Sequence, residues 1–204
     1  MINHNLSSKL FLSIKIFFIF LVFFIKPLSA EENKVRDIVE GNENAKVKIL
    51  IYESLTCPHC AEFHNQVYPD LKKNFIDKGL VEIKFKNFPL DIAGLNASKI
   101  AHCKNDGNSD ILHFLYYNQD TWIKGQSIEE INLNLKSIIK KENFGIDFNK
   151  CINNKNIEDH ILEGRIEGAK KFKINSTPTL IINNKKFDKP LTYKNLKKTI
   201  EKLI

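Results

Sequence analysis

An apolar run from Val47 to Leu55 stops just short of Cys57-Pro58-His59-Cys60, and a helical pattern begins directly after it. This junction constrains the fold more than any other stretch. The run is too continuous for a half-exposed strand and predicts one buried on both faces. Phe63, Val67, Leu71 and Phe75 recur at helical spacing across residues 61–77, with Pro69 inside the pattern, where a kink is expected. Val81, Ile83 and Phe85 then alternate with Glu82, Lys84 and Lys86, which predicts a second strand over 81–88. Residues 91–173 read as helical, with breaks at 105–109, 124–127 and 144–147. A short strand follows at 179–183, then a tight turn at Asn183-Asn184 and a partner strand at 185–187. Thr192 suits the cap of a last helix that places Tyr193, Leu196, Ile200 and Leu203 on one face. The chain is therefore α/β: a β-α-β half and a β-β-α half, separated by a helical stretch.

The cysteine motif draws its chemistry from this placement. Pro58 suits the first helical position, where its missing N–H costs nothing. Cys57 is then the N-cap, with its sulfur near the unpaired N–H groups of His59 and Cys60. Those donors and the positive helix end favour thiolate over thiol. Cys60 lies one turn in and is less exposed, so attack belongs to Cys57 and resolution to Cys60. The His59 side chain is expected to add a second donor beside the Cys57 sulfur. The competing chemistry is a metal site. Zinc needs four ligands; His59, His64 and His102 are available, but no second Cys-x-x-Cys or His-x₃-His pair exists. The expectation is redox chemistry with no metal and no cofactor. A purely structural Cys57–Cys60 bridge closes too small a loop to add much stability. Ser176-Thr177-Pro178-Thr179 precedes the late strand. A cis Thr177–Pro178 bond there would set the Thr177 backbone against the cysteine pair, where an extended peptide could add by strand pairing.

Residues 1–30 carry Lys9, an apolar stretch from Leu10 to Ile25, and the small residues Ser29 and Ala30 before Glu31. They read as an export signal, with an uncleaved anchor as the alternative; the uninterrupted core, Ile16 to Ile25, is too short to span a bilayer. The net charge is +7, of which Lys9, Lys15 and Lys26 supply three. Lysines and acids alternate, and Arg36 and Arg165 are the only arginines, so solvated helix faces fit better than a nucleic-acid surface. All four cysteines lie beyond the signal, as suits an oxidising compartment.

Ser54-Leu55-Thr56-Cys57-Pro58-His59-Cys60-Ala61-Glu62-Phe63-His64 resembles the active-site segment of the DsbA family, periplasmic thioredoxin-fold enzymes with a helical insertion. Phe85-Lys86-Asn87-Phe88-Pro89-Leu90-Asp91, Asn118-Gln119-Asp120-Thr121-Trp122 and Ile174-Asn175-Ser176-Thr177-Pro178-Thr179 are similar to three further family segments. The resemblance implies a thioredoxin fold with an inserted helical domain at about 91–173 of a domain spanning 31–204. It also implies Cys57 as nucleophile, Cys60 as resolving thiol, His59 as tuner of the thiolate, and Thr177 and Pro178 as substrate contacts. Reduced, unfolded exported proteins would be the substrates, and a membrane DsbB-like or quinone-linked protein the reoxidant. Cys103 and Cys151 sit where cysteines pair in a subgroup of the family, so a structural bridge is expected, with two buried thiols as the alternative.

Two positions depart from the family pattern. The usual buried acid six residues before the first cysteine is replaced by Ile51. Glu53, on the same strand face, either substitutes for it as a proton relay or is solvated at the strand end. Thr177 stands where the strong oxidases carry Val and several isomerases and reductases carry Thr. Residues 31–46 are too few for the extra N-terminal domain that builds dimeric isomerases, so a monomer is expected. The readings that compete with an oxidase are an isomerase or reductase of the same fold, and a non-enzymatic metal-binding or delivery module using Cys57, Cys60 and a histidine.

Overall fold

In the computed structural model, residues 34–204 are described, and Val35–Ile204 form one compact unit. The expected signal at residues 1–30 lies outside the described residues. The five-stranded sheet has the order β1-β3-β2-β4-β5. Its strands are β1 (Ile38–Gly41), β2 (Val47–Glu53), β3 (Val81–Asn87), β4 (Thr179–Ile182) and β5 (Lys185–Lys186). The β2–β3 pair is parallel, as a β-α-β unit demands, and the other pairs are antiparallel. The continuous apolar run therefore lies at the centre of the sheet, and Ile49 and Ile51 are wholly buried.

β1 was not foreseen. It has four residues and is fully buried only at Ile38, so it shows no alternation long enough to read. What makes it a strand is its pairing with β3, from Ile38 opposite Phe85 to Gly41 opposite Glu82. At the other end, Leu203 was expected on the last helix, but that helix stops at Ile200, and Leu203 is exposed beyond it.

After the cysteine motif the chain stays helical to residue 76, but in alternating geometry. A short α-helix, α1 (Pro58–Glu62), gives way to a π-helical turn (Phe63–Val67), then α2 (Tyr68–Leu71), then a second π-turn (Lys72–Ile76). The disturbance expected at Pro69 takes this form: the wide turn just before it accommodates a residue that lacks an N–H to donate. The helical stretch comprises α3 (Ile92–Ala101), α4 (Asp110–Tyr117), α5 (Gln119–Trp122), α6 (Ile128–Glu142), α7 (Phe148–Ile152) and α8 (Lys155–Phe172). Most of these helices start on caps readable from the sequence: Asp91, Ser127, Asp147 and Asn154 each accept a backbone N–H in the first turn. Helix α9 (Tyr193–Ile200) starts on Thr192 as expected.

One sheet face carries Ile49, Ile51, Ile83 and Phe85 and packs on Phe63, Leu71, Leu112, Tyr116, Trp122 and Leu196. The opposite face carries Tyr52 and Ile181 and packs on Ala169 and Phe172 of α8. That contact depends on Gly168, since a Cβ there would lie 2.4 Å from the Tyr52 ring. Each wholly buried aliphatic or aromatic side chain is worth roughly 1.5–3 kcal/mol, so the core of this sheet is the main source of stability. At Asn183-Asn184, φ values of +45° and +65° give the tight β4–β5 turn that asparagine tolerates. Cys103 and Cys151 are joined in a disulfide between the segment after α3 and α7, with Cα atoms 5.3 Å apart.

Candidate active site

β2 ends at Glu53, and the chain turns through Ser54–Cys57, closed by the Cys57 N–H donating to the Ser54 carbonyl at 3.0 Å. Helix α3 packs close to this turn. A Cβ at Gly94 would lie 2.9 Å from Ser54 Oγ and 3.0 Å from Thr56 Oγ1, so only glycine fits without displacing the loop. Cys57 has extended backbone (φ −82°, ψ 121°) and is the N-cap of α1, with Pro58 at its first position. The N–H groups of Cys60 and Ala61 donate to the Cys57 carbonyl at 3.1 and 3.2 Å. Cys57 and Cys60 are both thiols. Cys57 retains slight exposure and Cys60 none.

This geometry separates the two sulfurs. A hydrogen bond from the Cys60 thiol holds the Cys57 thiol at about 5, far below its ordinary 9.0. The Thr177 hydroxyl and the N–H groups of Cys60 and His59 add to this effect, while burial opposes it. Burial pushes the Cys60 thiol far up, and its role as donor to Cys57 and the nearby Glu53 charge push the same way. Thr177 faces the Cys57 sulfur with two groups. Its carbonyl oxygen, 3.4 Å away, accepts from the thiol and favours protonation. Its hydroxyl is buried without a well-aligned hydrogen-bond partner and favours the thiolate. The net effect is thiolate. The Thr177–Pro178 bond is cis.

The His59 side chain does not sit where the sequence suggested. It is 78% exposed, and Nδ1 faces Glu62 Oε2 at 3.4 Å rather than the Cys57 sulfur. The side chain lies on the face of α1 that is open to water; what reaches Cys57 from His59 is its backbone N–H. Glu53 resolves the other way. It is wholly buried, so the solvated alternative is overturned. Burial raises its carboxyl well above 4.5, opposed by His113 and Tyr116 and reinforced by Cys57. Beside the cysteines, Pro178 joins His59, Glu62, Phe63, Gln66, Val67, Leu191, Thr192 and Tyr193 around an open groove of about 440 Å³. Among the described residues, no group of three or more His, Cys, Asp or Glu side chains could hold a metal ion.

A family model described as thioredoxin matches residues 33–202. The crystal structure of Wolbachia pipientis alpha-DsbA1 superposes with a TM-score of 0.73 at 31% identity, covering 82% of this chain and 90% of that one. The chain belongs to the DsbA family.

Among curated relatives of this DsbA-family chain, RP025 of Rickettsia prowazekii is 28% identical over 172 residues, covering 82% of the chain and 61% of the relative. Disulfide bond formation protein D of Bacillus subtilis (strain 168) is 28% identical over 181 residues, covering 80% and 75%. The chain spans only 53 to 61% of the length of the Rickettsia relatives that it matches.

Beneath this DsbA-family site lie groups that sequence reasoning missed. Gln119 of α5 donates from Nε2 to the carbonyls of Leu55 (2.7 Å) and Cys57 (3.1 Å), tying the helical insertion to the redox loop. His64 Nε2 lies 2.8 Å from Glu53 Oε2, and its ring stacks on Tyr116 at 3.9 Å. The only sequence signal for His64 was a histidine at an apolar position four residues beyond Cys60. The segment around Gln119 resembled a family segment, but nothing local marked the role of its side chain, whose partners lie 62 and 64 residues away.

Proposed function

We propose that the protein is a thiol–disulfide oxidoreductase that introduces disulfide bonds into exported proteins in the periplasm. A substrate thiolate attacks Cys57 of the oxidised pair, forming a mixed disulfide and releasing Cys60 as the leaving thiolate. A second substrate thiol attacks its own sulfur in that bond, and the substrate leaves oxidised with both electrons retained on Cys57 and Cys60. A membrane DsbB-like or quinone-linked partner restores the enzyme disulfide. Residues 1–30 serve as the export signal, and residues 31–204 act as a monomeric domain with its helical insertion at about 91–173.

The observation that carries this reading is the Cys57 sulfur at a helix start, with donors from Cys60 and Thr177 around it and Cys60 buried behind. Stabilising the thiolate stabilises the reduced pair, which makes the disulfide the stronger oxidant. Pro178 lines the groove through which an extended peptide would approach, and the Thr177 carbonyl, which accepts from the Cys57 thiol in the reduced pair, is released to pair with that peptide when Cys57 is oxidised. The test is a redox titration of Cys57–Cys60 against glutathione, with Cys57→Ser as control. An oxidase titrates well above the roughly −270 mV of thioredoxin; a potential that low overturns the oxidase reading. The same titration addresses the isomerase or reductase reading, which rests on the resemblance of Thr177 to the residue that several isomerases and reductases carry before this proline. The metal-delivery reading requires stoichiometric metal on Cys57 and Cys60, which native mass measurement of the purified protein would detect.

A further inference from the structure

A line of hydrogen bonds runs from the redox centre out through the protein on four separate elements. Glu53 at the end of β2 meets His64 Nε2 at 2.8 Å; His64 Nδ1 meets His113 Nδ1 of α4 at 3.0 Å; His113 Nε2 meets Glu40 Oε1 of β1 at 2.7 Å. Glu53 and His64 are fully buried, while the side chains of His113 and Glu40 are each 12% exposed. Lys72, nearly half exposed, lies 3.5 Å from Glu40. None of His113, Glu40 and Lys72 lines the groove beside Cys57. We propose that Glu53, His64, His113 and Glu40 form a proton relay joining the buried Cys60 end of the site to solvent at the Glu40 edge, so that Cys60 can exchange its proton while a substrate covers the Cys57 face.

Counting hydrogens supports a relay over a static network. Glu40 accepts from Tyr68 (2.6 and 2.8 Å) and from Ser109 (2.5 Å) as well as from His113. Burial alone would raise the Glu40 carboxyl, but its hydrogen bonds, that of His113 foremost, hold it at about 2, so it remains an anion and an acceptor. Each of the three bonds must then contain one proton, and with His64 kept neutral by its burial two arrangements satisfy all three. In one, Glu53 is a carboxylate, His64 carries its proton on Nε2, and His113 is an imidazolium. In the other, Glu53 is a carboxylic acid, His64 carries its proton on Nδ1, and His113 is neutral with its proton on Nε2. Both contain the same protons, and passing between them moves one positive charge between Glu53 and His113. Burial holds His64 near 3, so it exchanges protons without storing charge. Tyr68 and Tyr116 also face His64, and Tyr68 and Tyr117 face His113. Tyr116 and Tyr68 are pushed up by burial and nearby carboxylates, and Tyr117 by burial and Glu40, so none of the three competes for the proton near neutral pH.

The inference rests on Cys60 being the resolving thiol. Cys60 gives its proton to Glu53, whose charge acts on the Cys60 thiol and whose Oε1 has no well-aligned hydrogen-bond partner. The Cys60 thiolate attacks the Cys57 sulfur of a mixed disulfide, the Cys57–Cys60 bond forms, and the partner sulfur leaves as a thiolate. The proton departs by way of His64 and His113. His64 and His113 are thus positioning residues that act through Glu53.

The reaction of the reduced protein with oxidised glutathione separates the steps. Cys57 captures one glutathione, and attack by Cys60 releases it, so two glutathiones are freed in sequence. In His64→Gln and His113→Gln, the first release should keep its rate, while the second slows at least tenfold at pH 7 and loses its pH dependence between pH 5 and 8; positioned proton transfer is commonly worth about 100-fold or more. Added imidazole should restore the second release in His113→Ala, whose site reaches the surface. Unchanged second release in folded variants overturns the relay, as does a slowing of both steps equally at every pH. If His64→Gln fails to fold, His113→Gln and Glu40→Gln at the exposed edge decide the question. Failure of the wild type to release the second glutathione would instead refute the role of Cys60 itself.

Discussion

At Cys57 a few small donors outweigh the cost of burial. The thiol lies at about 5 against an ordinary 9.0. A thiol depressed in the folded state stabilises the reduced protein fully above pH 9, progressively less as the pH falls, and not at all below about 5. Thiolate absorbance of the reduced protein should therefore titrate with a midpoint near 5. Thr177→Val removes one donor and keeps the carbonyl 3.4 Å from the sulfur, so the midpoint should move upward; an unchanged midpoint would show that the hydroxyl contributes nothing. Much of this was legible, because an N-cap cysteine followed by proline is a local pattern. The orientation of His59 was not, because it depends on which face of the helix is open to water. Glu53 could be assigned to the face of Ile51, but its burial is set by His64 and Tyr116 packing over it.

Among the elements, α5 has an influence out of proportion to its four residues. Its Gln119 clamps the carbonyls of Leu55 and Cys57, while Trp122 of the same turn is wholly buried and donates to the Leu115 carbonyl at 2.9 Å. Gln119→Leu keeps the bulk and removes both clamps, which should cost about 1–3 kcal/mol in a urea unfolding curve of the reduced protein. It should also loosen the redox loop enough to raise the exchange of the Cys57 and Cys60 amides. A variant as stable and as protected as the wild type would show that packing alone holds the loop. The strands at 47–53 and 81–87 and the helical breaks were visible because burial imposes periodicity on them. β1 was invisible because its partner, β3, lies more than 40 residues away and its own pattern is too short to repeat.

For the molecule as a whole, the Cys103–Cys151 bridge closes a loop with a sequence separation of 48, worth about 4 kcal/mol in the chain-entropy model. The double variant Cys103→Ala/Cys151→Ala should unfold at lower denaturant by up to that amount and keep its Cys57 titration, since the bridge lies in the insertion. Acid is the second global lever. Burial depresses His64 to about 3 and, with the neighbouring His160 adding to burial, His102 to about 4. The unfolded chain protonates these histidines from about pH 6.5 downward and the folded one does not, so stability falls as the pH drops from 6.5 toward 3. Glu40, held at about 2, adds loss of the same sign from 4.5 downward. Buried Glu53 acts oppositely, since its raised carboxyl is easier to protonate in the folded state. Melting temperature should therefore decrease steadily between pH 6.5 and 4, and His102→Gln should flatten that decrease if it folds; a flat profile in the wild type would mean that these histidines are hydrated.

The amino-acid sequence by itself determined the strand-to-helix junction, the cysteine pair on it, the caps and turns, and the division into two halves around a helical stretch. Each of these follows from periodicity or side-chain chemistry within a few residues. Only the tertiary structure decided that Glu53 is buried, that Gln119 holds the loop bearing Cys57, that the Thr177 hydroxyl as well as its backbone faces Cys57, and that His64, His113 and Glu40 line up behind Glu53. Those contacts join residues 11 to 120 positions apart, and burial, charge and proton position at such sites are set by whatever the fold brings alongside them.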